Sequence, residues 1–257
     1  MRVYPTYGIE AGWGGDVAST ADISSRVVEM TRGLTQLAPT KKHWRFVDGE
    51  DFEVTPLAEA TSNMASFLNR NIRDTGPGEP DPREGYMLVL IGSEDDSDTV
   101  AGNDLHVTAV VGSEWKNSLR FQIGDNRRPN DFGLITYPNY KAALETLTST
   151  WPCPWAFAYT FDSSRRLAGA RTAFDFAWIA YLSAALAEGL TFPAAIKSER
   201  TPGGGRLLSA VEAVIDPDDA DHMRLSQLLA TILAERVGAS GPGLADVKTL
   251  APRAGPY

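Results

Sequence analysis

The stretch Tyr7-Gly8-Ile9-Glu10-Ala11-Gly12-Trp13-Gly14-Gly15 places Tyr7, Ile9, Ala11 and Trp13 in alternation with Gly8, Glu10 and Gly12. A period of two over this length predicts a strand with one buried face, and the closing glycines predict a turn. Beyond the turn, Ser19 and Thr20 offer N-cap hydroxyls and Asp22 sits where the positive end of a helix favours an acid. Ile23, Val27, Met30, Leu34 and Leu37 then recur at steps of four, three, four and three, a narrow apolar stripe on one helix face. Pro39 stops that helix, and Trp44 follows in Lys41-Lys42-His43-Trp44-Arg45-Phe46. None of these residues carries catalytic chemistry.

Working outward, Thr55 and Pro56 predict the N-cap and first turn of a second helix, with Leu57, Ala60, Met64, Phe67 and Leu68 on its apolar side and an end near residues 69–71. The Pro- and Gly-rich run 74–82 predicts a connector. Tyr86 to Ile91, Leu105 to Val111 and Leu119 to Ile123 read as strands of an antiparallel meander, followed by a helix through Tyr140, Ala143, Leu144 and Leu147. In the second half, Trp155 to Phe161 predicts a strand, while Phe174 to Leu182 is ambiguous. Gly203-Gly204-Gly205 predicts a hairpin joining residues 195–199 to 206–211, and Asp216-Pro217 predicts the start of a last helix whose inward residues are Leu225, Leu228, Leu229, Ile232 and Leu233. Strands and helices without regular alternation favour an α+β fold, a mixed and mostly antiparallel sheet with amphipathic helices packed on it. The organisation expected is one domain over 1–257, with room for two similar lobes at 1–150 and 151–237 and a loose tail at 238–257.

Bulk composition excludes several classes. The chain has 257 residues, 43% apolar and 22% charged, and no apolar run approaches the ~18 residues that cross a bilayer. The start Met1-Arg2-Val3-Tyr4-Pro5-Thr6 lacks the apolar core of a secretory signal, and the single cysteine, Cys153, cannot form an internal disulfide, so a cytoplasmic protein is expected. With 24 Lys+Arg against 33 Asp+Glu the formal charge is −9, which repels nucleic acid and favours basic partners. The same charge also serves solubility alone.

No catalytic or cofactor motif is present. His43, His106 and His222 are far apart in sequence, with no pair at metal-motif spacing. Ile91-Gly92-Ser93-Glu94 lacks the second glycine of a hydrolase elbow, and Gly203-Gly204-Gly205-Arg206 lacks the Lys-Ser/Thr of a phosphate loop. No catalytic residue, metal or cofactor is therefore expected. One acidic constellation stands out: Glu94, Asp95, Asp96 and Asp98 repel one another and should be exposed, as a solvated loop or as a patch facing a basic partner. Their order departs from an EF-hand loop. Of the six tryptophans most should be core, and Trp115, in the turn Gly112-Ser113-Glu114-Trp115-Lys116-Asn117, is the one expected to be exposed.

The strand with Trp13, the capped helix and the second tryptophan combine with Trp178-Ile179-Ala180-Tyr181-Leu182-Ser183, the Gly203-Gly204-Gly205 turn and the helix after Asp216-Pro217. Together, from about Tyr7 to Leu233, they resemble the immunity protein 52 family; the middle of the chain and its Pro/Gly-rich tail depart from that pattern. The resemblance implies an antitoxin that binds a cognate bacterial toxin, often one with a restriction-endonuclease-like nuclease domain, as in effector–immunity pairs of type VI secretion. It implies no catalytic residues. Glu94, Asp95, Asp96 and Asp98 would then steer a basic toxin, with Trp115, Arg127 and Arg128 as anchors, and with no direct contact to nucleic acid or membrane. Two other classes stay open: a hydrolase assembled from Asp/Glu and His106 only in the fold, and a self-assembling structural protein.

Overall fold

The computed structural model describes residues 7–48, 53–73, 81–95, 104–123, 133–160 and 176–238. The opening strand, β1 (Tyr7–Gly14), lies near the middle of a sheet, hydrogen-bonded antiparallel to β6 (Lys116–Ile123) on one side and β7 (Trp155–Thr160) on the other. Outward from β6 run β5 (Leu105–Val111), β4 (Tyr86–Ser93), β2 (His43–Asp48) and β3 (Glu53–Pro56); outward from β7 run β8 (Ile179–Leu182), β10 (Arg206–Ser209) and β9 (Lys197–Arg200). The result is one ten-stranded sheet in the order β3-β2-β4-β5-β6-β1-β7-β8-β10-β9, with every pairing antiparallel. Among the described residues six helices accompany it: α1 (Thr20–Leu37), α2 (Leu57–Ser62), α3 (Met64–Arg70), α4 (Tyr137–Thr150), α5 (Ala184–Ala187) and α6 (Ala220–Val237). This is the α+β architecture expected.

The alternation in β1 assigns the two faces. Tyr7, Ile9, Ala11 and Trp13 point with Phe121, Val107, Leu90 and Phe46 into a core closed by α1, α3 and α4. Within it Trp13 stacks on Trp151 with centroids 5.7 Å apart, and the Tyr140 hydroxyl donates to the Tyr7 carbonyl at 2.9 Å. α1 enters through a full capping box: Ser19 Oγ accepts from the Asp22 N–H at 3.1 Å while the Asp22 carboxylate accepts from the Ser19 N–H. Its Ile23, Val27, Met30 and Leu34 are fully buried, each contributing about 1.5–3 kcal/mol.

The opposite face is closed at the β7-β8-β10 end by α6, through Leu229, Ala230, Leu233 and Val237 against Trp155, Phe157, Ala180 and Leu208. The glycine of β1 at position 12 faces Trp155 across the strand pair. A Cβ there would lie 2.6 Å from the indole, so only glycine lets the ring lie over β1.

Three local expectations are corrected. Thr55 and Pro56 belong to β3, pairing with Phe46 and Arg45, and the helix after them starts at Leu57 and breaks at Asn63 into α2 and α3. The sheet edge takes the backbone that a helix cap would have used, and proline suits an edge. The last helix is capped by Asp219, whose side chain accepts from the Asp221 and His222 N–H groups; Asp216 instead accepts from the Asp218 N–H in the preceding turn. This later start makes Ser226, Leu229, Ala230, Leu233 and Val237 the buried positions, with Leu225, Leu228 and Ile232 only partly covered. His43 opens β2. Of the ambiguous aromatic segment, residues 174 and 175 lie outside the described residues, the end forms β8 from Ile179, and Trp178 is fully buried just before it. The tail beyond 238 lies outside the described residues.

Candidate functional site

The two features singled out for partner binding lie at opposite ends of β5. Tyr86 of β4 pairs with Val111 at one end, next to the Trp115 turn; Gly92 pairs with Leu105 at the other, next to Glu94 and Asp95. Seven residues at ~3.4 Å each separate them, roughly 24 Å. Asp96, Asp98, Arg127 and Arg128 lie outside the described residues.

At the first end Trp115 is 58% exposed, as its turn position predicts, while the other five tryptophans are buried. Its backbone is tightly held. Asn117, with no exposed surface, accepts from the Ser113 N–H at 2.9 Å and donates to the Gly14 carbonyl at 2.8 Å. The Ser113 hydroxyl accepts from the Trp115 and Lys116 N–H groups, and the Asp16 N–H donates to the Ser113 carbonyl at 3.1 Å. That last bond ties the β1–α1 loop to the turn, and the loop carries Val17, 72% exposed. Two large apolar side chains are thus presented from neighbouring loops that hydrogen bonds hold in place. Such pre-ordering reduces the entropy lost on binding.

The acidic end is organised differently. Glu94 and Asp95 are exposed, as expected, but Glu94 Oε1 lies 3.2 Å from Lys41 Nζ. Lys41 is 1% exposed and also lies 3.5 Å from the buried Asp104 carboxylate. A buried ammonium requires such compensation, so Glu94 is partly committed to the protein's own interior. Nearby, Arg45 is buried and donates from Nη2 to Ser93 Oγ at 3.0 Å. Nothing in the spacing of Lys41 signalled this role; the nearest cue was a lysine pair directly before the buried Trp44 and Phe46.

A second charge cluster escaped sequence reasoning. Glu10, between Gly8 and Gly12 on β1, accepts from Arg120 Nη2 at 2.5 Å and from the Tyr159 hydroxyl at 2.8 Å. Burial pushes the Tyr159 phenol far above its ordinary pKa, and the neighbouring Glu10 carboxylate pushes the same way. Burial opposes the charge on Arg120, but Tyr159 and Glu10 outweigh it and raise its pKa. The cross-strand register Glu10↔Arg120 carried the signal, once β1 and β6 are known to pair. The three groups satisfy one another, which is the behaviour of a structural cluster.

His106 faces the same side of the sheet as Ile91 and Gln122, its cross-strand neighbours. Cys153 is buried, and desolvation pushes its thiol far up, so the thiolate needed for nucleophilic chemistry is suppressed. Among the described residues no group of three or more His, Cys, Asp or Glu is placed to hold a metal ion. An open apolar groove of about 690 Å³ runs along the outside of α1, lined by Val28, Thr31, Thr35, Pro39 and Trp44, and of its lining residues Arg32 alone is charged. No helix among the described residues is long and apolar enough to cross a membrane.

The fold, a wide antiparallel sheet with helices on both faces, has a solved counterpart. The chain is similar in structure to the Pseudomonas aeruginosa T6SS protein PA0821, with a TM-score of 0.57 over 91% of this chain and 73% of that one, at 12% sequence identity. No protein-family model matches the sequence, and no curated protein does.

Proposed function

We propose that this protein is an immunity protein: it binds and neutralises a toxin delivered by type VI secretion, and it performs no catalysis of its own. The observation that carries this reading is the exposed Trp115 on a hydrogen-bonded turn, with Val17 beside it. Tryptophan is enriched at interface hot spots, and a rigid, solvent-facing one has no use in the protein's own core. Two supports stand beside it. The fold resembles that of a protein described as a T6SS protein. The net charge of −9 suits a basic partner such as a restriction-endonuclease-like nuclease domain, acting in the cytoplasm where the toxin's nucleic-acid target lies.

In this reading Asp95 and the acids that follow it raise the rate of encounter, whereas Trp115 slows dissociation by filling an apolar pocket of the toxin. An interface of standard size, ~800 Å² per partner and about 30 Å across, would reach from one end of β5 to the other. The test is co-purification with the product of the neighbouring gene, followed by a nuclease assay of that product with and without this protein. A stable complex that silences the activity supports the proposal. A product that neither binds nor is inhibited overturns it.

A further inference from the structure

The hairpin β9–β10 places Arg200 directly opposite Arg206. Side chains so paired have Cβ atoms about 5 Å apart, and like charges in that position repel. Both lie on the face shared with Leu208 and Ser198, and both line a cleft of about 500 Å³ between the hairpin and the segment from α5 to Leu190. Most of the other lining residues are small, Ala184, Ala185, Ala187, Gly189 and Gly204, with Leu190 beside them. Glu188 also lines the cleft but forms no ion pair with either arginine.

The same hairpin neutralises its remaining charges. Lys197 pairs with Glu212 and Glu199, and Lys141 of α4 reaches Glu199 at 2.6 Å. No carboxylate among the described residues lies within ion-pair distance of Arg200 or Arg206. Acids outnumber bases 33 to 24 in this chain, so scarcity of carboxylates does not explain the gap. The arginines are also held in place: Thr201 N–H donates to the Gly205 carbonyl, Gly204 N–H donates to the Thr201 carbonyl, and Gly204 takes φ +80° to close the turn. Two repelling forks thus stand on a fixed hairpin beside an open cleft.

We propose that this cleft binds a carboxylate-bearing segment of the protein partner, an inference that rests on the binding function above. The register supports one shared surface. Arg206 pairs with Leu182, Leu182 with Trp155, Trp155 with Gly12 and Gly12 with Ser118, so the arginines lie at the Trp115 end of the sheet. β6 and β10 are four strand spacings apart, about 19 Å across the sheet. The local sign opposes the protein's net charge, so the pair contributes orientation rather than long-range attraction.

The test has two arms. In the first, the Arg200 and Arg206 Nε–H resonances of the intact protein are followed by NMR while a blocked Glu-Glu-Glu peptide is added, with Gln-Gln-Gln and inorganic phosphate as parallel titrants. Saturable shifts with the Glu peptide, absent with the Gln peptide and abolished in the Arg200→Gln/Arg206→Gln variant, are expected. Shifts with phosphate alone, or none with any titrant, overturn the proposal. In the second, the same double variant is tested against the toxin and should bind about tenfold more weakly. Its melting temperature should not fall, since a repulsion is removed. Undiminished toxin binding overturns the cleft assignment and leaves the immunity reading intact. If the wild type forms no complex, the immunity reading fails and the peptide titration alone decides the cleft.

Discussion

The two ends of β5 both present charged or aromatic side chains to solvent, yet they differ in what those side chains are bonded to. At the acidic end Glu94 reaches inward to a buried lysine; at the other, Trp115 reaches outward from a turn whose hydrogen bonds close on themselves. Exposure alone therefore does not mark a binding residue. The more telling property is an exposed side chain with a rigid base and no internal duty, and Trp115 has it while Glu94 does not.

That contrast yields graded predictions. Lys41→Met removes the ammonium from a carboxylate with 1% exposure and should cost about 3–5 kcal/mol, seen as a lower urea midpoint at unchanged slope. Pairing it with Asp104→Leu should restore much of the loss. Asn117→Ala leaves the Ser113 N–H and the Gly14 carbonyl without their partner and should cost about 2–3 kcal/mol. It should also weaken toxin binding, because the base of Trp115 loosens. Trp115→Ala reverses that balance: stability within about 0.5 kcal/mol of wild type, but a loss of about 2 kcal/mol or more in toxin affinity by calorimetry. Equal losses in stability and binding would show Trp115 to be a core residue after all.

Smaller effects sharpen the picture. Glu94→Gln should change stability by less than about 1 kcal/mol, because a half-exposed partner is screened by water. It should also lower the toxin association rate, because one acid of the patch that steers the encounter is neutralised. At the Trp115 end, hydrogen bonds from Ser19 hold the Asp22 carboxyl below its ordinary value. A depressed acid stabilises the fold above its unfolded pKa, and the benefit disappears as pH falls through its folded pKa. The stability difference between wild type and Asp22→Asn should thus be constant above roughly pH 5 and shrink in stronger acid, which acid titration of the two proteins would reveal.

Much of the fold was legible where local and tertiary demands agree. The Ser19/Asp22 box, the stripe from Ile23 to Leu34 and the alternation of β1, β5 and β6 all appear where the residues placed them. Legibility failed where the two compete. Thr55-Pro56 is a good helix start by composition, but β2 offered it hydrogen bonds and it became a strand edge. Asp216 and Asp219 are equivalent caps by chemistry, and packing on the sheet chose the later one. For the candidate site the sequence identified Trp115 and the exposure of Glu94 and Asp95, because turn position and mutual repulsion are local properties. Lys41, the Glu10–Arg120–Tyr159 cluster and the arginine pair depend on register between distant segments, which a linear reading lacks. The arginine pair came nearest: the hairpin about Gly203-Gly204-Gly205 was legible, but with its first strand ending at residue 199 Arg200 fell outside the pairing, whereas the observed strand sets it opposite Arg206.

The central position of β1 has a consequence for biosynthesis. This strand leaves the ribosome before either neighbour and finds them only when residues 116–123 and 155–160 have followed. At ~5–20 residues per second, the apolar stripe Tyr7, Ile9, Ala11 and Trp13 waits roughly 5–20 s for β6 alone. During that interval the nascent chain exposes an unpaired, aggregation-prone edge, so chaperone demand is built into the topology rather than into any exposed patch of the finished protein.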